Sequence, residues 1–236
     1  MLQAAVDSGA RIEQVFISDE NVLEPSPMHA LKPVRVDRRT LASLAQTKTP
    51  QGIVAVVGFM DHALDDLARL VPAQGAAAVL VLPTLSDPGN AGTLIRSAEA
   101  FGASAVCFGP DAVEPYNDKV VRASMGSLFR VPLVRYERWP DFVAAARAAQ
   151  LQIVAADASG DDVRHVTLPQ RAALVIGQER HGLAGIPRED VDRCVALPQR
   201  MGVESLNAGV AGSLLLYEFA RAQGLFGPLG AGTSGA

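Results

Sequence analysis

The stretch "LSDPGNAGTLIRSAEAFGA", Leu85–Ala103, decides the fold. It is preceded by "AAVLVLP", an apolar run of strand length, and it opens with residues that bend a chain. Pro88 fixes φ, Gly89 tolerates a turn, and Asn90 is a residue type able to cap a helix. Beyond the turn, Leu94, Ile95, Ala98 and Phe101 recur on one face at a 3.6-residue period, with Arg96 roughly opposite. The local order is therefore strand, turn, helix, the layout in which helix-start N–H groups face a ligand at a strand end. Arg96 reads either as a solvated arginine paired with Glu99 three residues on, or as part of a site.

The same order repeats through the chain. After Ala76, the strand candidates "AAVLVLP", "SAVCFG", "FRVPLVRY", "LQIVAAD" and "AALVIG" alternate with helices expected at 90–102, 117–127, 139–150 and 206–223. Such alternation predicts a mostly parallel sheet covered by helices on both faces. The first stretch, residues 1–58, reads as a smaller α/β unit. "LQAAVDSGA" and "RTLASLAQT" are its helices, "IEQVFIS" and "GIVAVVGF" its strands. Between them the loop-like "HALKPVRVDRR" carries Lys32, Arg35, Arg38 and Arg39 against Asp37, either a solvated loop or a patch that touches RNA. Residues 59–75 read as a short polar helix and linker, 76–228 as the main domain, and 229–236 as a disordered tail.

Bulk properties narrow the function classes. The chain has 236 residues, nearly half of them hydrophobic, and a net charge of −4. Bulk charge alone would not hold it to nucleic acid. A local excess exists: Lys119, Arg122, Arg130, Arg135 and Arg138 outnumber Asp118 and Glu137 within 117–138. Cys107 and Cys194 read as buried thiols of a reducing compartment, and four scattered histidines give no metal-ligand spacing, so no metal is expected. No signal peptide or membrane-length apolar run is visible, which places the protein in the cytoplasm by expectation. A dinucleotide enzyme would need G-x-G-x-x-G or a P-loop after the first strand of the main domain, and neither is there.

Two further motifs join the first. In "ALVIGQERHGL", Ala173–Leu183, a buried strand ends at Gly177 and a glycine-bounded loop holds Glu179; glycine there would let a ligand approach the backbone. In "VALPQRMGVESLNAGVAGSLLLYEFAR", Val195–Arg221, a short strand ends at Pro198, and Ser205-Leu206-Asn207 opens a helix, with Ser205 a candidate N-cap. That last helix is apolar nearly all round, so it should be buried against both its own sheet and a second subunit. Gly209 and Gly212 inside it cost about 1 kcal/mol each against alanine and call for close helix packing.

Together the motifs resemble the SpoU, or TrmH, family of S-adenosylmethionine-dependent RNA 2′-O-ribose methyltransferases in the SPOUT superfamily. Asn90 with Arg96, Gly177-Gln178-Glu179, and Leu197-Pro198 with Ser205-Leu206-Asn207 match the three family motifs in order and spacing, and "EPYNDKVVRASMGSLFRVPL" is similar to the central block. The resemblance spans about Ala76 to Gly224. It implies an α/β fold whose C-terminal SPOUT domain has a parallel sheet and a deep trefoil knot. A small α/β RNA-binding domain, similar to a ribosomal protein fold and lacking its usual opening strand, would precede it. It implies a homodimer, S-adenosylmethionine contacted at Gly177, Leu197 and Leu206, and a catalytic centre of Arg96, Asn90, Glu179, Ser205 and Asn207. Arg96 would either hold the phosphate beside the reacting ribose or act as base when desolvated. Arg122 and Ser124, with Lys32, Arg35, Arg38 and Arg39, are the candidate RNA contacts. Ribosomal RNA is the expected substrate; transfer RNA, or a non-catalytic RNA-binding role, is the alternative.

Overall fold

A computed structural model describes residues 1–18, 31–45, 51–178, 182–200, 202 and 205–226. The described chain builds two sheets. The first takes β1 (Ile12–Ser18), β2 (Val34–Val36) and β3 (Ile53–Val57) in the order β2-β1-β3, with β2 parallel and β3 antiparallel to β1. Helix α1 (Leu2–Asp7) precedes it, and α2 (Arg38–Leu44) starts at Asp37, whose carboxylate accepts from the Thr40 amide at 2.9 Å. The basic run expected as a loop thus contains a strand. Val34-Arg35-Val36 is too short to show a period of its own, and its strand form comes from pairing with Phe16–Ser18 of β1.

The second sheet holds seven strands among the described residues: β4 (Asp61–His62), β5 (Ala77–Leu82), β6 (Ala105–Phe108), β7 (Leu133–Arg135), β8 (Gln152–Asp162), β9 (Arg171–Val175) and β10 (Arg193–Ala196). Their order is β10-β8-β9-β5-β6-β7-β4, and every neighbouring pair is parallel. Strand β5 is buried from end to end because both of its faces are covered, which explains its unbroken apolar run. Leu80 and Leu82 enter one core with Leu94 and Ile95 of α4 (Pro88–Ala100) and Leu215 and Phe219 of α7 (Ala208–Ala222). Val79 and Val81 enter the other, with Leu67 of α3 (Leu67–Leu70) and Phe142 and Ala146 of α6 (Trp139–Ala148).

The expected linker belongs to this packing. Residues 59–75 supply β4, a 3-10 turn at Leu64–Asp66 and α3, and Leu67 and Val71 are buried under the large sheet. The helix expected at 117–127 stops early: α5 runs Asp118–Ala123, and Met125 and Gly126 then adopt left-handed φ of 51° and 94° before a 3-10 turn at Ser127–Phe129. That reversal ends a helix because the left-handed residue aims the chain away from the next intrahelical bond. The expected tail lies outside the described residues. Cys107 and Cys194 are buried free thiols, and among the described residues no helix is long and apolar enough to cross a membrane.

Candidate functional site

The chain runs from β5 outward to β6 and β7, then returns to lay β8 and β9 on the other side of β5. The order of the sheet therefore reverses between β5 and β9, and the carboxyl ends of these two strands open the crevice where such sheets bind ligands. A bond from the Ile176 amide to the Val81 carbonyl, 2.9 Å, holds the two strand ends together there. Two helices begin at this edge. At the start of α4, the Asp87 carboxylate accepts from the Asn90 amide at 2.7 Å; at the start of α7, the Asn207 side chain accepts from the Val210 amide at 3.1 Å. The caps are therefore Asp87 and Asn207, where the sequence pointed to Asn90 and Ser205. In each case the better-placed acceptor lies three residues before the amide it serves, the ordinary reach of an N-cap.

With Asp87 as the cap, the Asn90 side chain does not cap α4. Asn90 sits on the first turn of α4, 9% exposed, and points at α7. A Cβ placed on Gly209 would lie 3.0 Å from Asn90 Oδ1 and 3.1 Å from Asn207 Oδ1. One glycine of α7 thus faces two asparagines that the sequence places far apart. The helices stay close further along: a Cβ on Gly212 would lie 2.5 Å from Leu94 Cδ2, and the hydroxyls of Ser97 and Ser213 hydrogen-bond at 2.6 Å. Contacts that advance together along both helices mean that α4 and α7 run side by side in the same direction. Their positive N-terminal ends then lie together at the crevice. The close packing that Gly209 and Gly212 called for is present, within this chain.

Gly177 follows β9 and is half-buried. The group that crowds it is the chain itself: a Cβ at 177 would collide with the Gly182 carbonyl, in a loop closed by Gln178 and Gly182 bonding to each other through both backbone pairs. Leu197 follows β10, half-buried against the core that holds α4 and α7; Leu206 is half-buried just before α7, and Ser205 is exposed. Glu179 lies outside the described residues. No group of three or more histidine, cysteine, aspartate and glutamate side chains able to hold a metal occurs among the described residues.

Arg96 is exposed on α4, on the row that begins with Gly92. A Cβ at Gly92 would run into Ala123, so this row faces α5 and the turn after it. The pairing of Arg96 with Glu99 does not form. Arg130, at the end of the 3-10 turn, donates through Nε and Nη2 to the Glu99 carboxylate, the second bond measuring 3.1 Å. The guanidinium of Arg130, then Ser127, hold the Glu99 carboxyl below its ordinary range against the opposing effect of burial. Arg96 itself makes no hydrogen bond or ion pair with another described residue.

The basic excess in 117–138 is offset by carboxylates, several from outside the segment. Arg122 pairs with Asp118 at 2.6 Å, Arg130 with Glu99, Arg135 with Glu114 and with Asp61 at 3.2 Å, and Arg138 with Asp141 at 3.0 Å. Arg122 is exposed, while Ser124 is fully buried and donates to the Val121 carbonyl, which leaves no surface hydroxyl to reach RNA. Lys32, Arg35, Arg38 and Arg39 are exposed around β2 and the start of α2. Sequence reasoning missed two residues that shape the site. Asp87 caps α4 in place of Asn90, and its position three before Asn90 and next to Pro88 was the available signal. Gly92 lets α5 close on α4, and nothing in its neighbours marks it.

Residues 77–217 match the family described as the SpoU rRNA methylase family. The 23S rRNA (guanosine(2553)-2′-O)-methyltransferase RlmP of Bacillus subtilis is 27% identical over 92% of this chain and 84% of its own length. The 23S rRNA (uridine(2479)-2′-O)-methyltransferase of Streptomyces viridochromogenes is 34% identical over 93% and 79%. Among solved structures, the SpoU methyltransferase AviRb from Streptomyces viridochromogenes in complex with AdoMet superposes with a TM-score of 0.80 at 29% identity, covering 96% of this chain and 88% of that one.

Proposed function

The chain belongs to the SpoU rRNA methylase family, and on that premise we propose that it transfers a methyl group from S-adenosylmethionine to a ribose 2′-hydroxyl of structured RNA, with ribosomal RNA as the substrate. The observation that carries this reading is the meeting of Asn90 and Asn207 over Gly209, at the edge where two helix starts share one crevice. It brings two of the three family motifs to one point. Relatives that methylate ribosomal RNA at 2′-oxygens, similar over nine-tenths of this chain, support the same substrate class.

The donor set fits the cofactor. The described polar side chains at the crevice are the amides of Asn90 and Asn207, the Ser205 hydroxyl and the Asp87 carboxylate, which is engaged in capping α4, beside the half-buried Leu197 and Leu206. Such a site suits a molecule held by backbone groups and apolar contact better than one held through metal or phosphate. Gly177, Leu197 and Leu206 would hold S-adenosylmethionine, which when bound supplies an electrophilic methyl on sulfur. Asn90, Asn207, Ser205 and Glu179 would orient the ribose by hydrogen bonds, near attack distance. The hydroxyl must lose its proton as its oxygen is methylated. A guanidinium that faces solvent holds an anion far more readily than it gives up a proton, so Arg96, exposed on α4, is assigned to the neighbouring phosphate, which takes the proton.

Three finer features belong to the same reading. The segment from β10 through α7 would form the deep trefoil knot of the family, one of the rare exceptions to unknotted chains. Residues 1–58, with the exposed cations around β2, would be an RNA-binding domain that resembles a ribosomal protein. The chain would work as a cytoplasmic homodimer through α7, whose Val210, Leu214 and Tyr217 form an apolar stripe at one-turn spacing, 45%, 43% and 41% exposed.

Labelled methyl transfer from S-adenosylmethionine into unmodified ribosomal and transfer RNA tests the reaction, followed by mapping of the modified ribose. Transfer into ribosomal RNA at one 2′-oxygen is expected. Transfer into transfer RNA alone would reassign the substrate, and cofactor binding without transfer into either would remove the enzymatic reading.

A further inference from the structure

Glu99 lies three residues after Arg96 on α4, the spacing at which helical residues of opposite charge pair. If they did, the arginine would be compensated, and a carboxylate would stand beside any phosphate that Arg96 holds. The fold prevents both. The Glu99 carboxylate is occupied by the Nε and Nη2 groups of Arg130, a two-point grip that a flexible single donor does not match. Arg130 is aimed there by the left-handed reversal at Met125 and Gly126 and the 3-10 turn that follows, and Gly92 against Ala123 fixes the distance between that segment and α4.

We propose that Arg130 is a positioning residue for methyl transfer: by occupying Glu99 it leaves Arg96 uncompensated and able to hold the phosphate of the RNA substrate. The inference rests on the reading of Arg96 as the phosphate-holding arginine. Its size follows from exposed charges. An i,i+3 pair on an exposed face is weak, and an uncompensated carboxylate near a bound phosphate adds a modest, solvent-screened repulsion. A three- to tenfold effect on kcat/KM is expected.

The test is a double-mutant cycle on the full chain, with in vitro transcribed, unmodified ribosomal RNA and labelled S-adenosylmethionine. Arg130→Ala should lower kcat/KM about three- to tenfold. Glu99→Gln should leave it within about twofold, and the double variant should return to the Glu99→Gln level, because the competing carboxylate is gone. Arg130→Lys, which keeps the charge, should fall between Arg130→Ala and the native chain. A double variant as impaired as Arg130→Ala would overturn the proposal, since it would mean that Arg130 touches RNA directly or supports the fold; an unimpaired Arg130→Ala would overturn it too. If Arg130→Ala does not fold, the same comparison is made with Arg130→Gln. Arg96→Ala in the same assay separates the two levels. Retained transfer there defeats the reading of Arg96, whereas loss of transfer together with an unrescued double variant defeats only the role of Arg130.

Discussion

Asn90 and Asn207 face each other across Gly209, their Oδ1 atoms 3.0 and 3.1 Å from where a methyl group at that position would sit. Packing between α4 and α7 continues from this starting point, through Gly212 against Leu94 and Ser97 against Ser213. The two glycines of α7 therefore serve different ends. Gly209→Ala gains about 1 kcal/mol of helix propensity but moves the asparagines by a few tenths of an ångström. Its thermal midpoint should stay near that of the native chain while methyl transfer falls at least ~10-fold, as expected when orienting groups are displaced. Gly212→Ala overpacks a core side chain and should cost about 1–3 kcal/mol of stability. Thermal unfolding and methyl transfer measured on both variants check the contrast.

Gly177→Ala must open the Gln178–Gly182 loop, because no Cβ fits beside the Gly182 carbonyl. S-adenosylmethionine affinity should weaken by at least ~10-fold in calorimetry, as preorganisation of the loop is lost. Unchanged affinity would mean that the cofactor does not rely on this loop.

Arg96→Ala should abolish methyl transfer, by at least ~100-fold, while cofactor binding persists, as the proposed assignment of the cofactor to other loops requires. Arg96→Lys should not rescue it, because a point charge does not replace a planar fork. An exposed helix arginine without a role would show neither effect and would change stability by a few tenths of a kcal/mol.

Leu214→Asp places a charge in the middle of the exposed stripe of α7. If that stripe is a subunit interface, light scattering at micromolar concentration should report a dimer for the native chain and a monomer for the variant. A native monomer would refute the dimer.

The fold was legible wherever burial leaves a period in the sequence. The strand runs at Ala77–Leu82, Ala105–Phe108 and Arg171–Val175, and the helices at Pro88–Ala100, Trp139–Ala148 and Ala208–Ala222, all lie within two residues of expectation. What escaped was fixed by partners distant in the chain. Val34–Val36 is a strand only because β1 lies beside it. Residues 59–75 read as linker because only Leu67 and Val71 are fully buried among polar neighbours. At the site, residue types were readable but their partners were not. Glu99 chose Arg130, thirty-one positions on, over Arg96, three positions away, because a guanidinium fork locked in a turn matches a carboxylate at two points.

The strand order of the large sheet has a consequence for how the protein is made. Strand β5, buried on both faces, keeps one flank for β9, which leaves the ribosome about ninety residues later. At ordinary synthesis rates of ~5–20 residues per second, that flank stays unpaired for seconds, with a wholly apolar strand at an open edge. The crevice lies on this same β5–β9 seam, so the place that gathers the candidate site residues can close only once β9 has been made, with β10 alone left to add at the sheet edge. Refolding from denaturant should be correspondingly slow, as parallel pairing across long sequence separations is. Growth at lower temperature, or a chaperone that shields an apolar edge, should raise the soluble yield more than any change to the finished surface.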